Sequence, residues 1–444
     1  MWGDGLADRR PILKKVRPKR YRSVPTPRKG GERFRQNVLK SRHPSITIRR
    51  ICGSQSVTEY AFWISLLGLF YIYAGYPILV RGLAKLFPLR REPIVPHDLD
   101  SADPANKVSV VIASSNDGEV LRTKLVQLLN SNQSRFIREV LVGSDGSTDD
   151  TVELIRGIEE ERIQLFDFKE QRGKPAVLND LIPRCRSEIV VLCDARQILS
   201  DEAIPAMLAN FADPTIGVVS GELVFRADSL EGSTAARGIG AYWRYEKSIR
   251  KAEARFRSVP GATGALYAIR RSLFQPIPES TLLDDVVIPM RAVCKGHRCV
   301  FERRAIAWDT PSQSLGRESI RKRRTIAGAA QLITNHPSWL LPWKNPIWLE
   351  FVSHKLMRLA SPFLLVIVLA TNYQLASTGL FYSALQILHV CFYYCALAGW
   401  LCQRFGQPSV LFGLQLTFMT LNLTTLAALW DAARGRFRVT WQRS

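Results

Sequence analysis

Short apolar runs and helical repeats alternate through the middle of the chain. Four runs of strand length are rich in valine, isoleucine and leucine, at 107–113, 139–142, 163–166 and 188–193. Helical periodicity follows the first three, at 119–130, from Val152 onward, and at 175–182. This alternation predicts an α/β fold built on a mostly parallel sheet with helices on both faces.

Much longer apolar runs flank this region. Ala61–Val80 contains no charged residue, none occurs between Arg358 and Arg404, and another uncharged run extends from Phe405 to Trp430. The first and third runs are each long enough to cross a bilayer as a helix, and the second is long enough for two spans joined near residues 371–378. The alternative is a set of buried core helices, but adjacent runs of this length are rare in soluble proteins. The sequence therefore predicts an integral membrane protein.

Together these patterns predict six segments. Three tryptophans and two lysines interrupt the half-apolar segment between 336 and 358, a composition typical of helices at the bilayer interface. The segments are a basic, largely disordered tail (1–58), a transmembrane helix (59–82), an α/β domain (105–335), interfacial helices (336–358), two to three transmembrane helices (359–432) and a basic C-terminal tail (433–444).

Positive charge is concentrated at the N-terminus. The net charge is +22, and the first fifty residues hold sixteen Lys and Arg but only three acidic residues. We expect this tail to lie near acidic lipid headgroups, so the lipid bilayer is an expected partner. Nucleic acid or another specific partner is the alternative, and no specific nucleic-acid partner is expected. Basic residues flank every candidate span, so the positive-inside rule does not choose an orientation.

Three polar residues follow predicted strands. Asn116, Asp145 and Asp194 each come just after the end of a strand, and the carboxyl ends of parallel strands lie on one edge of a sheet, where ligands bind. Such an edge suits a nucleotide sugar, which needs acceptors for its base and ribose. Asp145-Gly146 alone is also ordinary turn chemistry.

Cations and carboxylates complete this candidate site. Arg172, Gly173 and Lys174 directly precede a helix, so phosphate oxygens can meet both side chains and the helix N-terminus; a basic surface loop is the alternative. Asp194 is the best candidate ligand for Mg²⁺ or Mn²⁺, which prefer carboxylate oxygens, although it can also be a cap or a surface turn.

A second acidic pair and a basic run lie further along the chain. Asp284 and Asp285 are adjacent, and a like-charged neighbour together with burial raises the pKa of a carboxyl group toward that of a useful general base. A helix N-cap is the alternative. The run from Arg321 to Arg324 can neutralise a leaving diphosphate, or face lipid or solvent.

Taken in order, these motifs resemble those of the membrane-bound members of inverting glycosyltransferase family 2, which include hyaluronan, chitin, cellulose and bacterial exopolysaccharide synthases. The resemblance covers residues 105–335, rests on the spacing of the motifs, and implies a GT-A-type nucleotide-sugar-binding domain. It implies Asp285 as the catalytic base and Asp194 as the metal ligand. The implied donor-binding residues are Asn116, Asp117, Asp145, Arg172, Lys174, Asn179, Asp194, Arg321 and Arg324, and the acceptor-side residues are Gly261, Gly264 and Asp284.

Two positions depart from the family pattern. Arg196 stands where the second Asp of the metal-binding Asp-x-Asp is expected, and a cation there does not bind a metal. Thr325 follows Arg324 where the family's Gln-x-x-Arg-Trp motif ends in a tryptophan that stacks on polymer. Sugar transfer is therefore better supported than processive synthesis.

The expected function is transfer of a sugar, with inversion, from a nucleotide sugar to a growing polysaccharide at the membrane. A UDP-sugar is the expected donor, and the acceptor is a saccharide or a lipid-linked sugar. One alternative is single-sugar transfer to a lipid carrier, and another is a non-catalytic nucleotide-sugar scaffold or sensor. The expected location is the bacterial cytoplasmic membrane, with the catalytic domain in the cytosol.

Overall fold

The fold is described from a computed structural model of the chain. Its backbone is described for residues 45–89, 108–225, 234–309, 315–405 and 411–435, and its side chains for the same ranges except 45–55, 234–243 and 315–321. Most of the predicted N-terminal tail and most of the predicted C-terminal tail lie outside the described residues. Contacts divide the chain into units 1–52 and 53–444, and the architecture below is that of the second unit.

One eight-stranded mixed sheet organises the central domain. Its order is β3-β2-β1-β4-β7-β6-β8-β5. The strands are β1 (Val108–Ser114), β2 (Ile137–Asp145), β3 (Ile163–Phe168), β4 (Ile189–Cys193), β5 (Ile198–Leu199), β6 (Ile216–Phe225), β7 (Leu266–Arg270) and β8 (Arg298–Asp309).

Strands β3, β2, β1 and β4 form the parallel half of the sheet. Val110 of β1 pairs with Val140 on one side and Val191 on the other. Alternate side chains along β1 enter different cores, since Val111 packs in one while Val110 and Ile112 pack in the other. Burial on both faces explains why these strands are continuous apolar runs rather than alternating ones. The predicted α/β fold is confirmed, and this half of the sheet is parallel as predicted.

The other half of the sheet was not predicted. Strand β7 is antiparallel to both β4 and β6, β8 is parallel to β6, and β5 is antiparallel to β8. Strand β8 shifts register with β6, and its sequence RCVFERRAIAWD is interrupted by charges, so it does not form an apolar run. An irregular strand of this kind gives little period-two signal.

Helices cover the sheet and carry the site. The helix at Lys174–Leu181 packs with the helix at Asp284–Cys294 on one face, and the helix at Gly118–Asn130 packs with the helix at Ala203–Asn210 on the other. The helices of the domain are α3 (Gly118–Asn130), α4 (Thr151–Arg156), α5 (Lys174–Leu181), α6 (Ala203–Asn210), α7 (Thr234–Phe256), α8 (Asp284–Cys294) and α9 (Leu315–Asn335). Short 3₁₀ turns lie at Asn132–Phe136, Ile182–Arg184, Arg271–Leu273 and Pro337–Leu340.

Apolar helices lie on either side of the domain in the sequence. They are α1 (Ser45–Phe70), α2 (Tyr76–Leu86), the short α10 (Trp348–Glu350), α11 (Ser361–Leu375), α12 (Leu380–Arg404) and α13 (Gly413–Ala433). A π-helical turn at Tyr71–Gly75 joins α1 to α2, while Phe351–Leu356 (π) and Met357–Ala360 (3₁₀) join α10 to α11.

Three of these stretches are long and apolar enough to cross a membrane. They are Ser56–Leu86, Trp348–Leu375 and Leu380–Arg404, judged by length and composition within the described residues. The second begins at Trp348, so the helical path has no break at the predicted boundary between 358 and 359. Helix α13 is not among the three; its sequence is interrupted by Gln415, Asn422 and several threonines.

The two π-helical turns contact each other and helix α7. Tyr71 Oη and Ser353 Oγ, one from each turn, form a hydrogen bond of 2.8 Å. Just beyond the first turn, Tyr76 donates to a carboxylate oxygen of Glu253 at 2.6 Å, and His354 Nδ1 lies 2.8 Å from the same oxygen. Residues of two candidate spans therefore converge on one buried carboxylate of α7.

Candidate functional site

Asp145 anchors the predicted diphosphate loop at the carboxyl edge of the sheet. It is the last residue of β2 and is fully buried. Its Oδ1 accepts a hydrogen bond from the Arg172 amide at 2.8 Å, and its Oδ2 accepts one from the Gly173 amide at 2.7 Å. Because both oxygens bind the loop, the carboxylate fixes the start of α5.

Asn116 and Asp117 shape the neighbouring loop after β1. Asn116 has a positive φ of 57°, a conformation that asparagine tolerates better than most residues. Its Oδ1 accepts hydrogen bonds from the amides of Thr148 at 2.8 Å and Asp149 at 3.4 Å. Asp117 accepts from the Ser114 hydroxyl at 2.7 Å, and burial raises its pKa despite that bond. Asn116 therefore orders the loop that follows β2.

Lys174 is the central cation of the site. Its Nζ lies 2.7 Å from Oδ1 of Asp194 and 3.5 Å from Oδ2 of Asp284. Burial alone would lower the pKa of this lysine, but Asp194 and Asp284 outweigh burial and raise it. The first turn of α5 therefore holds a permanent positive charge between the end of β4 and the start of α8.

Two other residues predicted to bind the donor have structural partners. Arg172 forms an ion pair with Asp180, and its guanidinium stacks 4.7 Å from the centre of the Phe168 ring. Asn179 forms two hydrogen bonds with the backbone of Ile277, at 2.7 and 2.9 Å. Asn179 thus ties α5 to the segment that leads into α8.

Asp285 has the electrostatics of a general base. It lies in the first turn of α8, and burial followed by the adjacent charge of Asp284 raises its pKa to about 6. Lys355 and Lys174 oppose this shift. Such a carboxylate is largely ionised at neutral pH but takes up a proton more readily than an ordinary aspartate.

The loop from Gly261 to Gly264 packs against Asp285. The amide of Ala262 donates to the backbone oxygen of Asp285 at 2.7 Å. A Cβ added at Gly264 would lie 3.2 Å from Oδ2 of Asp285, and Gly261 has a φ of 122°, which favours glycine. Both glycines allow the backbone to approach the acidic pair closely.

Arg196 forms an ion pair with Asp309. Its Nη2 donates to Oδ2 of buried Asp309 at 2.7 Å, and Gln197 donates to the same oxygen at 3.0 Å. The cation at the second position of the Asp-x-Asp motif is therefore neutralised at the end of β8.

A divalent metal fits this site only if the donor supplies most of its ligands. Within the described residues, no three His, Cys, Asp or Glu side chains are grouped to hold an ion. Asp194 is about a third exposed, and one of its oxygens binds Lys174. Mg²⁺ typically uses one or two carboxylates together with substrate phosphates and water, and Asp194 suits that mode.

Helix α9 packs against the turn that carries the acidic pair. A Cβ added at Gly328 would come within 2.5 Å of Leu283 Cγ, and the Leu282 amide donates to Gln331 Oε1 at 3.0 Å. Arg324 lies one turn before Gly328 on the same face of α9. This places the backbone of Arg324 close to the start of α8.

Two other arginines of the predicted basic run, Arg321 and Arg323, differ in what the structure describes of them. Arg323 forms an ion pair with Asp431 of α13, away from the acidic pair. The side chain of Arg321 lies outside the described residues, so its predicted contact with the donor stays a prediction.

Sequence reasoning missed one residue beside the carboxylates. Tyr267 of β7 is fully buried, and its hydroxyl has no hydrogen-bond partner among the described residues. Burial, and then the charges of Asp284 and Asp285, raise its pKa. A tyrosine inside an apolar strand is typical of core packing, so no sequence signal marked it.

Polysaccharide synthases are among the curated proteins that this chain resembles in sequence. Poly-beta-1,6-N-acetyl-D-glucosamine synthase of Staphylococcus aureus is 25% identical over 226 residues, which cover 49% of this chain and 53% of that protein. The same synthase of Staphylococcus epidermidis is 22% identical over 219 residues, covering 47% and 51%. The chain thus matches about half the length of these curated relatives.

A solved structure and a family model identify the fold and the family. A mannosyltransferase from Pyrobaculum calidifontis, solved in complex with GDP-Man and Mn²⁺, superposes with a TM-score of 0.61 at 21% identity, over 85% of this chain and all of that one. This similarity confirms the predicted GT-A-type fold. The model described as "Glycosyltransferase like family 2" matches residues 104–328, about half of the chain. The chain therefore belongs to glycosyltransferase-like family 2, as its motifs predicted.

Proposed function

We propose that the protein is an inverting glycosyltransferase that adds sugar from a nucleotide sugar to a growing polysaccharide at the membrane. The observation that carries this proposal is the position of Asp285. Its carboxylate is backed by the glycine loop, has a pKa of about 6, and shares the site with the Lys174 cation. The family membership of residues 104–328 supports the same reaction class.

In the proposed reaction, Asp285 accepts the proton of an acceptor hydroxyl. The hydroxyl oxygen forms a bond to the anomeric carbon on the side opposite the leaving group, and the bond from that carbon to the diphosphate oxygen breaks. A single displacement of this kind inverts the anomeric configuration. Lys174 stabilises the negative charge that develops on the departing diphosphate.

Arg324 is proposed to assist Lys174, since it lies one helical turn from the contact between α9 and Leu283. Asp194 would hold Mg²⁺ or Mn²⁺ together with the donor phosphates, and the bound ion would supply positive charge for the diphosphate. The related fold solved with Mn²⁺ supports the use of a divalent cation.

The donor is proposed to be a UDP-sugar, and the curated relatives favour an N-acetylglucosamine unit as the first to test. Their names also support a saccharide acceptor over a lipid carrier. Single-sugar transfer to a lipid carrier remains the second candidate, because Thr325 replaces the tryptophan expected to stack on polymer. The buried cation and the paired carboxylates support an enzyme over a non-catalytic scaffold.

The three candidate spans support attachment to the bilayer. We place the protein in the bacterial cytoplasmic membrane with the α/β domain in the cytosol, where nucleotide sugars are made. The predicted basic tails lie mostly outside the described residues, so their side of the membrane is still a prediction.

The deciding experiment measures release of nucleoside diphosphate and the size of the product. Purified protein is incubated with UDP-N-acetylglucosamine, other UDP-sugars and GDP-mannose, with Mg²⁺ or Mn²⁺. Long products would support a polysaccharide synthase, and single additions to lipid would support the second candidate. The linkage formed from an α-linked donor should be β, as determined by NMR.

The matched pair of variants is Asp285→Asn and Asp201→Asn. Both replace an aspartate with its neutral isostere, but Asp201 is an exposed residue before α6. Loss of the general base should lower turnover by about 10²–10⁴-fold, and the surface variant should remain near wild type. Normal turnover by Asp285→Asn would overturn the assignment of the base.

A further inference from the structure

A group of exposed cations lies where the first candidate span ends. Arg81 and Lys85 belong to α2, and Arg244, Lys251 and Arg255 belong to α7. All five residues are exposed. We refer to these five residues as the basic surface.

Helical spacing makes the five cations one continuous surface. Arg81 and Lys85 are four residues apart and share one face of α2, while Arg244, Lys251 and Arg255 share a face of α7 with Ser248. Two contacts join these faces. Arg81 Nη2 donates to Ser248 Oγ at 2.5 Å, and the Leu89 amide donates to the Arg255 carbonyl at 3.0 Å.

Among the residues that the structure describes, no acidic side chain pairs with this surface. The sequence of α7 contains only two acids, Glu246 and Glu253, and α2 contains none. Glu246 contacts His354 Nε2 at 2.7 Å and Arg358 at 2.9 Å, and Glu253 is fully buried against Tyr76. Both carboxylates of α7 are therefore directed into the protein, away from the basic surface.

Apolar side chains border the cations on the side of the candidate span. Leu86, Phe87 and Leu89 are 73%, 61% and 64% exposed, and they lie at and just after the end of Ser56–Leu86. Exposed leucine and phenylalanine next to Lys and Arg are typical of the boundary between acyl chains and headgroups. A soluble polyanion would match the charges but would leave these apolar side chains in water.

We propose that the basic surface binds the headgroups of anionic phospholipids, such as phosphatidylglycerol, where α2 leaves the bilayer. The phosphate groups lie against Lys85, Lys251 and Arg255, while Leu86 and Phe87 enter the acyl boundary. This interaction fixes α7 against the membrane. Because Glu253 and Glu246 of α7 contact residues of two candidate spans, lipid binding stabilises the junction between the membrane helices and the α/β domain.

The test compares two triple variants of the full-length protein. Lys85→Gln/Lys251→Gln/Arg255→Gln removes three cations of the basic surface and leaves Arg81 bonded to Ser248. The control, Arg138→Gln/Lys169→Gln/Lys295→Gln, removes three exposed cations from β2, the loop after β3 and the end of α8. Each protein is reconstituted in vesicles with equal phosphatidylglycerol and phosphatidylcholine, then extracted gently, and its bound lipids are quantified by mass spectrometry.

Wild type and control should retain phosphatidylglycerol in preference to phosphatidylcholine. In the surface variant this preference should fall by roughly tenfold or more, because each basic side chain at an anionic membrane contributes a factor of about five to binding. Raising NaCl from about 50 to about 500 mM during extraction should weaken the preference of wild type. Equal preference in both variants would overturn the proposal. So would displacement of the lipid by excess inorganic phosphate, which would indicate a soluble anion as the ligand.

Discussion

The ammonium group of Lys174 lies 2.7 Å from Oδ1 of Asp194, so the carboxylate proposed to bind a metal already binds a cation of the protein. The same ammonium lies 3.5 Å from Asp284, which adjoins the proposed base. A divalent ion held by Asp194 would therefore compete with Lys174 for this carboxylate until the diphosphate of a bound donor interacts with both cations.

Replacement of Lys174 should separate its competition with a metal ion at Asp194 from its stabilisation of the diphosphate. In Lys174→Met, Asp194 is released, so Mn²⁺ should bind the donor-free protein more tightly, by roughly tenfold, or about 1.4 kcal/mol. Turnover should fall because the diphosphate loses its cation. Titration with Mn²⁺ followed by electron paramagnetic resonance measures the first effect. Lys174→Arg keeps the charge and is the control; unchanged Mn²⁺ affinity in Lys174→Met would contradict the competition.

The pH dependence of turnover should report on Asp285. A base with a pKa of about 6 is active when deprotonated, so turnover should rise with pH through about 6 and level off above it. In Asp284→Asn the like charge is removed, the pKa of Asp285 falls, and the acidic limb should move to lower pH. Burial, the larger cause of the shift, persists in this variant. An acidic limb unmoved from wild type would show that Asp284 does not act on the base.

Gly264→Ala should impair catalysis more than it impairs folding. The new Cβ would lie 3.2 Å from Oδ2 of Asp285, closer than most Cβ contacts, so the carboxylate must shift. A displaced base should lower kcat by about 10²-fold. Gly379→Ala is the control for a glycine substitution without a steric conflict, because no atom lies within 4 Å of a Cβ added at Gly379. Equal losses of kcat in the two variants would refute the positioning argument.

The pair of Arg196 and Asp309 should behave as a structural unit. Arg196→Gln leaves a 4%-exposed carboxylate with fewer partners, and should lower the free energy of unfolding by about 1–3 kcal/mol. Arg196→Gln combined with Asp309→Asn removes the charge as well and should recover part of this loss. Chemical denaturation of the detergent-solubilised protein measures both. If the double variant loses more unfolding free energy than the two single variants lose together, Arg196 and Asp309 do not stabilise the protein as a pair.

The parallel half of the sheet could be predicted because its strands are buried on both faces, which leaves uninterrupted apolar runs such as residues 108–114. The antiparallel strand β7 and the irregular β8 could not, since their pairing depends on contacts between distant parts of the sequence. Pattern alone does not reveal a strand whose neighbours are far away in the chain.

Some features of the candidate site could be predicted from the sequence, and others could not. Motif order indicated Asp285, Asp194 and Lys174, and the structure brings these three residues together. Motif order did not reveal that Asn179 binds the Ile277 backbone, nor that Arg323 pairs with Asp431 of α13. Both contacts join segments about one hundred residues apart in the chain, and a single sequence does not contain that information.

The paired π-helical turns at Tyr71–Gly75 and Phe351–Leu356 have a consequence for insertions and deletions. An α-helix advances about 100° per residue, so deleting one residue from either turn would rotate everything beyond it by about that angle. Tyr76 would then leave Glu253, or the helix after Ser353 would present a different face to its neighbours. The rotational positions of the two candidate membrane-spanning helices are thus set jointly, and a deletion in one turn needs a matching change in the other.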